Sequence, residues 1–132
     1  NAWVLLKGIE TLELRLNKQT ESAIEILKFL EKSKYIGKIY YPFLKDGFQY
    51  KLAKQQMLAG SNIISFEIKS DKKSEKKKSF KFLNNLSLIK ISNNLGDNKS
   101  LITHPHTTTH HRLTDIEKSL RKMGCQCRLS RC

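Results

Sequence analysis

This sequence of 132 residues has little of what is typical of a secreted or membrane-bound protein. Its three cysteines all lie in the last eight residues, so no disulfide framework holds the body together, and we expect a cytoplasmic protein. The longest apolar runs are about five residues, whereas a membrane helix needs roughly 20. The amino terminus does not resemble a signal peptide. Because the first residue is Asn1 and not methionine, we expect a processed product or a fragment of a longer protein.

Glycine and proline are also sparse, with six and two residues, and the sequence has no internal repeats. Hydrophobic residues make up 39% of the chain and charged residues 28%, which indicates one globular domain with one core. The formal net charge is +13. Such an excess of positive charge permits an anionic partner but does not define a fold.

The segment 69–81 contains most of the local positive charge, with seven lysines against Asp71 and Glu75. Clustered lysines neutralise phosphates and so favour nucleic acid. Aromatic residues for base stacking are not interleaved with these lysines, however, and the chain has only five arginines. We therefore expect a solvated surface and no nucleic-acid partner, and a basic anion- or nucleic-acid-binding module is the alternative from a different functional class.

Four histidines and the terminal cysteines are residue types that bind zinc. Cys125 and Cys127 are separated by one residue, which does not match the spacing of a structural zinc site, and His106 and His110 supply only half of one. We expect no metal site.

Helical spacing of apolar residues from Ala2 to Leu16 predicts a long amino-terminal helix. The polar segment from Asn17 to Ser22 is either a break or a turn of one longer helix, and Ser22 with Glu25 resembles a capping box. Further helices are predicted over 48–58, from Glu75 onwards, and from the capping residue Thr114 to about Met123.

Strands are predicted near 36–41, 62–68 and 87–91, because β-branched and aromatic residues are concentrated there. Pro42 has no amide hydrogen and ends the first of them. The expected fold class is α/β of the α+β type, a small domain with a long amino-terminal helix, a mostly antiparallel sheet and helices on one face.

Four ordered segments resemble one enzyme family: Leu6–Arg15, Lys38–Pro42, Ile64–Glu67 and Ser92–Leu113. Together they are similar to the carboxy-terminal domain of the pyridoxal-phosphate-dependent enzymes of cysteine and methionine metabolism. Within that family, the block with Asn94-Leu95-Gly96-Asp97 most resembles the O-succinylhomoserine sulfhydrylases. Cystathionine γ-synthases and lyases usually have serine where Asn94 stands, and they are the alternative within the family.

The resemblance implies a fold-type I transferase in which pyridoxal phosphate is an electron sink and sulfide replaces the acyl group of a homoserine ester, a step of methionine biosynthesis. It also implies that the catalytic lysine, which forms the Schiff base with the cofactor, lies in the large domain, whose motifs this sequence lacks. We therefore expect a substrate-recognition fragment that binds no cofactor by itself and is inactive alone. The implied partners are an amino-acid substrate, the missing large domain and, for the full-length enzyme, a homotetramer.

The resemblance also implies the site. In the family, an arginine before a Leu-Ser pair holds the substrate α-carboxylate, and Arg128-Leu129-Ser130 matches that motif. Asn94 would orient the same carboxylate and Leu95 would shape the turn, whereas the purely structural alternative for Asn94 is an Asx turn. Residues 1–124 are assigned to the small domain, and residues 125–132 form a shortened, divergent tail.

Overall fold

The computed structural model describes residues 1–71, 73–94, 96–114, 116–117 and 126–130. A mixed α/β arrangement is seen there, in which a five-stranded sheet packs against helices. The elements in chain order are α1 (Ala2–Glu10), α2 (Leu12–Lys32), β1 (Ile36–Tyr40), α3 (Tyr50–Gln56), β2 (Ile63–Ile68), α4 (Glu75–Asn84), β3 (Lys90–Ile91), β4 (Leu101–Thr103) and β5 (Gln126–Ser130).

The strands lie in the order β1-β2-β5-β4-β3. β5 pairs antiparallel with β2 on one side and with β4 on the other, and only the short pair β3–β4 is parallel. This confirms the predicted α/β class with a mostly antiparallel sheet. The last described segment of the chain is thus the middle strand, and the division at residue 124 between domain and tail stays a prediction.

The core lies between the sheet and α2 with α4. Alternation along β2 and β5 directs Ile64, Phe66, Cys127 and Leu129 to one face, where each is 3% exposed or less. The helices complete this core with residues at helical spacing: Ala23, Leu27 and Leu30 of α2, and Leu83 of α4. A hydrogen bond of 2.9 Å from Asn62 Nδ2 to Gln19 Oε1 joins α2 to the start of β2.

The long amino-terminal helix is divided at Thr11, a break that the apolar spacing from Ala2 to Leu16 does not predict. Arg15 stabilises this break, since its guanidinium donates to the Gly8 carbonyl oxygen at 2.7 Å and to Thr11 Oγ1 at 3.2 Å. The first of these bonds is made to a carbonyl in the last turn of α1, where helical partners become scarce. Of the two alternatives for Asn17 to Ser22, the helical one is correct.

Several smaller predictions were wrong in detail. Ser22 does not cap a helix, because its hydroxyl donates to the Lys18 carbonyl inside α2. The strand predicted over 87–91 is only Lys90–Ile91, and the helix predicted over 48–58 is Tyr50–Gln56. Thr114 does form a reciprocal capping pair with Glu117, at 2.8 and 3.3 Å, but the predicted helix beyond it lies outside the described residues.

None of the helices that the structure describes combines the length and the apolar character needed to cross a bilayer. α1 instead carries large apolar side chains that are mostly exposed, and none of its residues is buried. The clearest examples are Trp3 at 69%, Leu5 at 69% and Ile9 at 64% exposure.

Replacing Phe66 by alanine tests the core. Phe66 is 1% exposed and its ring meets that of Phe82 edge-on, with centroids 5.9 Å apart. We expect the free energy of unfolding to fall by about 3–5 kcal/mol, as for other buried phenylalanines. Urea unfolding followed by circular dichroism measures this loss. Phe48→Ala is the matched control, because Phe48 is 90% exposed and its loss leaves the urea midpoint nearly unchanged.

Candidate functional site

The sheet face opposite α2 and α4 carries a row of polar side chains. Register places Tyr40 opposite Ser65, Ser65 opposite Arg128, and Arg128 opposite Thr103. Directly paired residues of antiparallel strands project to the same face. Since Cys127 and Leu129 on either side of Arg128 point into the core, the Arg128 side chain is directed to the other face, where it is exposed.

A cavity of about 690 Å³ lies over this row, between the sheet and the loop that follows β1. Tyr40, Ser65 and Arg128 form its floor. The loop contributes its opposite wall, and the lining residues from that segment are Tyr41, Pro42, Leu44, Asp46, Gly47, Phe48 and Gln49. The cavity volume is within the range usual for small-molecule sites.

Local hydrogen bonds hold the loop in place. Successive turns are closed by the amides of Leu44, Gly47 and Tyr50, with bonds of 3.1, 2.8 and 3.0 Å to the carbonyls three residues earlier. The buried Tyr41 hydroxyl donates to the Ser61 carbonyl at 2.9 Å and accepts from the Ser61 amide at 3.1 Å. These contacts join the start of the loop to the segment before β2.

Gly60 is required at this point because the chain passes directly over the Tyr41 ring. A Cβ atom on residue 60 would overlap the Tyr41 hydroxyl. Because glycine has no Cβ atom, the backbone can pass the Tyr41 ring, and Ser61 can form both hydrogen bonds with the Tyr41 hydroxyl. The glycine therefore helps to shape the cavity wall.

The cavity contains more positive than negative charge. Arg128 and Lys38 both line it, against the single carboxylate of Asp46 among the described lining residues. The ion pairs in the described ranges are Lys7–Glu10 and Lys18–Glu21, so neither cavity cation is paired with a carboxylate there. A guanidinium that is not already bound to a carboxylate is suited to hold an anionic ligand through two parallel hydrogen bonds.

Tyr40 is held within the row by two neighbours. Its hydroxyl donates to Glu67 Oε1 at 2.6 Å, and Lys38 Nζ lies 4.9 Å from the centre of its ring. Both Tyr40 and Glu67 are partly buried. These positions were not among the predicted site residues, although the alternation Lys38-x-Tyr40 along a strand contained the signal.

The predicted site residues Asn94 and Leu95 belong to the loop after β3, which is separate from the loop that walls the Arg128 cavity. Asn94 follows β3 and is exposed, and it is not among the residues that line the Arg128 cavity. Gly96 has a φ of 77°, and the side chain of Asp97 accepts a hydrogen bond from the Lys99 amide at 3.1 Å, which is an Asx turn. Residues 96–98 border a small cavity of about 180 Å³ against α2. Leu95 lies outside the described residues.

The segment after β4 folds into a compact turn at the same end of the sheet. The His104 carbonyl oxygen accepts from the amides of Thr107 and Thr108 at 3.1 and 3.2 Å, and the His110 amide donates to the Pro105 carbonyl at 2.9 Å. The Thr103 and Thr108 hydroxyls are hydrogen-bonded at 3.0 Å. Thr103 is opposite Arg128, so this turn is positioned by the same row.

His104 is the most buried titratable side chain of this turn, at 1% exposure. Its Nδ1 is hydrogen-bonded to Thr107 Oγ1 at 2.9 Å, whereas Nε2 has no hydrogen-bond partner among the described residues. Burial lowers the pKa of His104 below its ordinary value of 6.5, and electrostatic interactions with His106 and Lys76 lower it further. His104 is therefore kept neutral and belongs to the framework of the turn. Among the residues described, no three side chains of the metal-binding types converge.

The fold and the cavity together define a small α/β domain with an exposed arginine on the open face of its sheet. The family model described as Cys/Met metabolism PLP-dependent enzyme matches residues 1–131. The chain belongs to this family of pyridoxal-phosphate-dependent enzymes, which confirms the predicted family and its cofactor.

Individual relatives in the family have different activities. The chain is 45% identical over 113 residues to the O-succinylhomoserine sulfhydrylase of Mycobacterium tuberculosis, covering 86% of this chain and 28% of the relative. It is 38% identical over 122 residues to the cystathionine beta-lyase of Lactococcus lactis, covering 92% and 30%.

Among solved structures, the cystathionine gamma synthase of Xanthomonas oryzae pv. oryzae in complex with cystathionine superposes with a TM-score of 0.90 at 26% identity. The superposition covers 99% of this chain and 33% of that one. The chain thus spans less than a third of the length of the curated relatives given above.

The described cavity does not fit the covalent attachment of pyridoxal phosphate. Attachment as a Schiff base needs a lysine amine that is neutral, and burial is what favours the neutral form. Lys38 is the one lysine among the described lining residues, and it is exposed with its ammonium over the Tyr40 ring. The described lining residues therefore do not provide an anchor for the cofactor.

Substituting His104 tests its neutral state. Because the pKa of His104 is lower in the folded chain than in the unfolded chain, the unfolded state takes up the proton first as the pH falls. The stability due to neutral His104 is complete above pH 6.5 and is lost as the pH falls from 6.5 through the lower native pKa. We expect His104→Gln to flatten this part of the pH profile, measured by urea unfolding between pH 7.5 and about 4.5.

His111→Gln is the control, because His111 is exposed on the same turn. An equally steep loss of stability in His104→Gln and in the parent chain would show that His104 does not control this pH dependence.

Proposed function

We propose that this chain is the carboxy-terminal, substrate-recognising part of a homoserine-ester sulfhydrylase, in which Arg128 binds the α-carboxylate of the substrate. The observation that carries the proposal is the position of Arg128 on the open sheet face, inside a cavity of about 690 Å³ and without a carboxylate partner among the described residues. The 45% identity to an O-succinylhomoserine sulfhydrylase supports this particular activity within the family.

The physical role of Arg128 follows from its surroundings. Its backbone is fixed between β2 and β4, and the neighbouring Cys127 and Leu129 are locked in the core. The guanidinium keeps its charge when a ligand displaces water, and its planar fork matches both oxygens of a carboxylate. Binding the α-carboxylate in this way would orient the rest of the amino acid along the cavity floor, toward Ser65 and Tyr40.

Asn94 and Leu95 are proposed to complete the carboxylate site from the loop after β3. β3 runs parallel to β4, with Ile91 opposite Ile102, so the chain leaves β3 at the end of the sheet where Thr103 and Arg128 lie. The exposed Asn94 amide is available for a ligand approaching this end. Leu95 would shape the turn that leads into Gly96.

The remaining two-thirds of the enzyme would supply the chemistry. We propose that the cofactor lysine lies in a large domain outside these 132 residues and that the complete protein is a cytoplasmic homotetramer. That domain would hold pyridoxal phosphate, which would supply the electron sink for a replacement of the acyl group by sulfide. The exposed apolar side chains of α1, such as Trp3, Leu5 and Ile9, support the presence of a further domain that covers them.

A cystathionine γ-synthase or lyase is the second candidate within the family. It is favoured by the close superposition on the cystathionine gamma synthase of Xanthomonas oryzae pv. oryzae. Both candidates bind an amino acid by its α-carboxylate, so the role proposed for Arg128 is common to them. They differ in the sulfur compound used or released, which product analysis of the complete enzyme distinguishes.

Replacing Arg128 by methionine tests the carboxylate site. We expect the affinity for O-succinyl-L-homoserine to fall by about 10- to 100-fold, the range typical of a lost charge-assisted hydrogen-bond pair. NMR titration of the ¹⁵N-labelled chain measures this dissociation constant. Arg112→Met is the matched control because Arg112 is exposed and is not among the cavity residues. Equal affinities of the Arg128→Met variant and the parent chain would contradict the proposal.

An activity assay tests whether the chain needs a large domain. With pyridoxal phosphate, sulfide and O-succinyl-L-homoserine, we expect the 132-residue chain to form no homocysteine above the protein-free blank. Joined to the large domain of the Mycobacterium tuberculosis relative, it should gain activity. The single tryptophan, Trp3, should then shift its fluorescence to shorter wavelength as it leaves water. Turnover by the chain alone would contradict the assignment of the catalytic lysine to another domain.

A further inference from the structure

The cavity contains a second cation, Lys38, that the proposed carboxylate site does not use. Lys38 and Tyr40 project to the same face of β1, as shown by the 4.9 Å distance between Lys38 Nζ and the Tyr40 ring. Both residues line the cavity that also contains Arg128. The floor of this cavity therefore has a cation on β1 and another on β5.

The sheet separates these two cations by a defined distance. β2 lies between β1 and β5, and strands are spaced about 4.8 Å apart, so the backbones that carry the cations are about 10 Å apart across the sheet. Lys38 also lies two residues before Tyr40 on β1, which places its backbone about 7 Å along the strand from the row that contains Arg128. One small carboxylate would not bridge them, whereas an elongated molecule with an acid group at each end would.

The groups around Lys38 leave it available to a ligand. Glu67 is the nearby acid on β2, and one of its carboxylate oxygens is bound by the Tyr40 hydroxyl at 2.6 Å. The other acid in the cavity wall, Asp46, is on the loop. In the described part of the chain, one ion pair lies within α1 and the other within α2, so neither Glu67 nor Asp46 forms an ion pair with Lys38 there. The ring of Tyr40, fixed by Glu67, keeps the ammonium on the cavity side of β1.

We propose that Lys38 binds a second carboxylate, at the far end of the acyl group, and so makes the cavity prefer a homoserine ester of a dicarboxylic acid to an ester of acetic acid. This inference rests on the proposed function, because Arg128 must hold the α-carboxylate at the other end. Tyr40 and Glu67 are positioning residues in this arrangement, since they act through Lys38. An acetyl ester ends in a methyl group and gains nothing from the ammonium.

Two esters and three variants test the proposal. Dissociation constants of O-succinyl-L-homoserine and O-acetyl-L-homoserine are measured by NMR titration on the 132-residue chain. We expect the chain to bind the succinyl ester about fivefold more tightly, as for one partly exposed ion pair. Lys38→Gln should bring the ratio of the two constants close to one without changing the affinity for the acetyl ester.

Lys34→Gln is the matched control. Lys34 is also exposed and lies 5.2 Å from an adjacent tyrosine ring, that of Tyr35, but it is not among the cavity residues. Its substitution removes the same charge and should leave the ratio unchanged. Circular dichroism of each variant checks that the fold is retained.

The outcomes separate the two proposals. If Arg128→Met lowers the affinity for both esters but Lys38→Gln leaves the preference for the succinyl ester intact, the Lys38 proposal is wrong and the proposed function stands. If neither ester binds to the parent chain, or if Arg128→Met changes the affinity for neither ester, the proposed function is wrong and the Lys38 proposal is wrong with it. A loss of preference in Lys34→Gln as large as in Lys38→Gln would also overturn it, because long-range charge would then be the cause.

Discussion

The central position of β5 is the constraint on which the rest of this structure depends. Its pairing with β2 and β4 joins the two halves of the sheet, and alternation along the strand buries Cys127 and Leu129 against the helices. The same alternation places Arg128 on the opposite face. A shift of β5 by one residue would bury the guanidinium and expose both apolar side chains, so core packing and site geometry are controlled by one register.

The loop after β1 turns this sheet face into a cavity. Pro42 cannot continue the strand, and the chain then passes through turns that return it toward β2. Tyr41, buried beside Gly60 and bound to Ser61, ties both ends of this excursion together. Without this loop, Arg128 would lie on an open surface. Water competes strongly for a carboxylate there, and a salt bridge contributes little to binding.

The fold was largely predictable because its elements have strong local signals. The period of two around Ile64 and Phe66 and the helical spacing in α2 both reflect burial on one face. The break at Thr11 was not predictable in this way, because it is stabilised by the Arg15 side chain reaching back to Gly8. The strand at Lys90–Ile91 is short because pairing with β4 ends there, and pairing depends on a distant segment.

The sequence by itself determined the fold class, the family and Arg128 as the candidate site residue, because these are recorded in periodicity and in ordered motifs. Only the tertiary structure decided which side chains share the cavity with Arg128. Lys38 and Tyr40 are far from it along the chain and become neighbours through β2, and Asn94 lies close to the same end of the sheet without lining that cavity. The physical reason is that strand order and register arise from packing of the whole core, which no single segment contains.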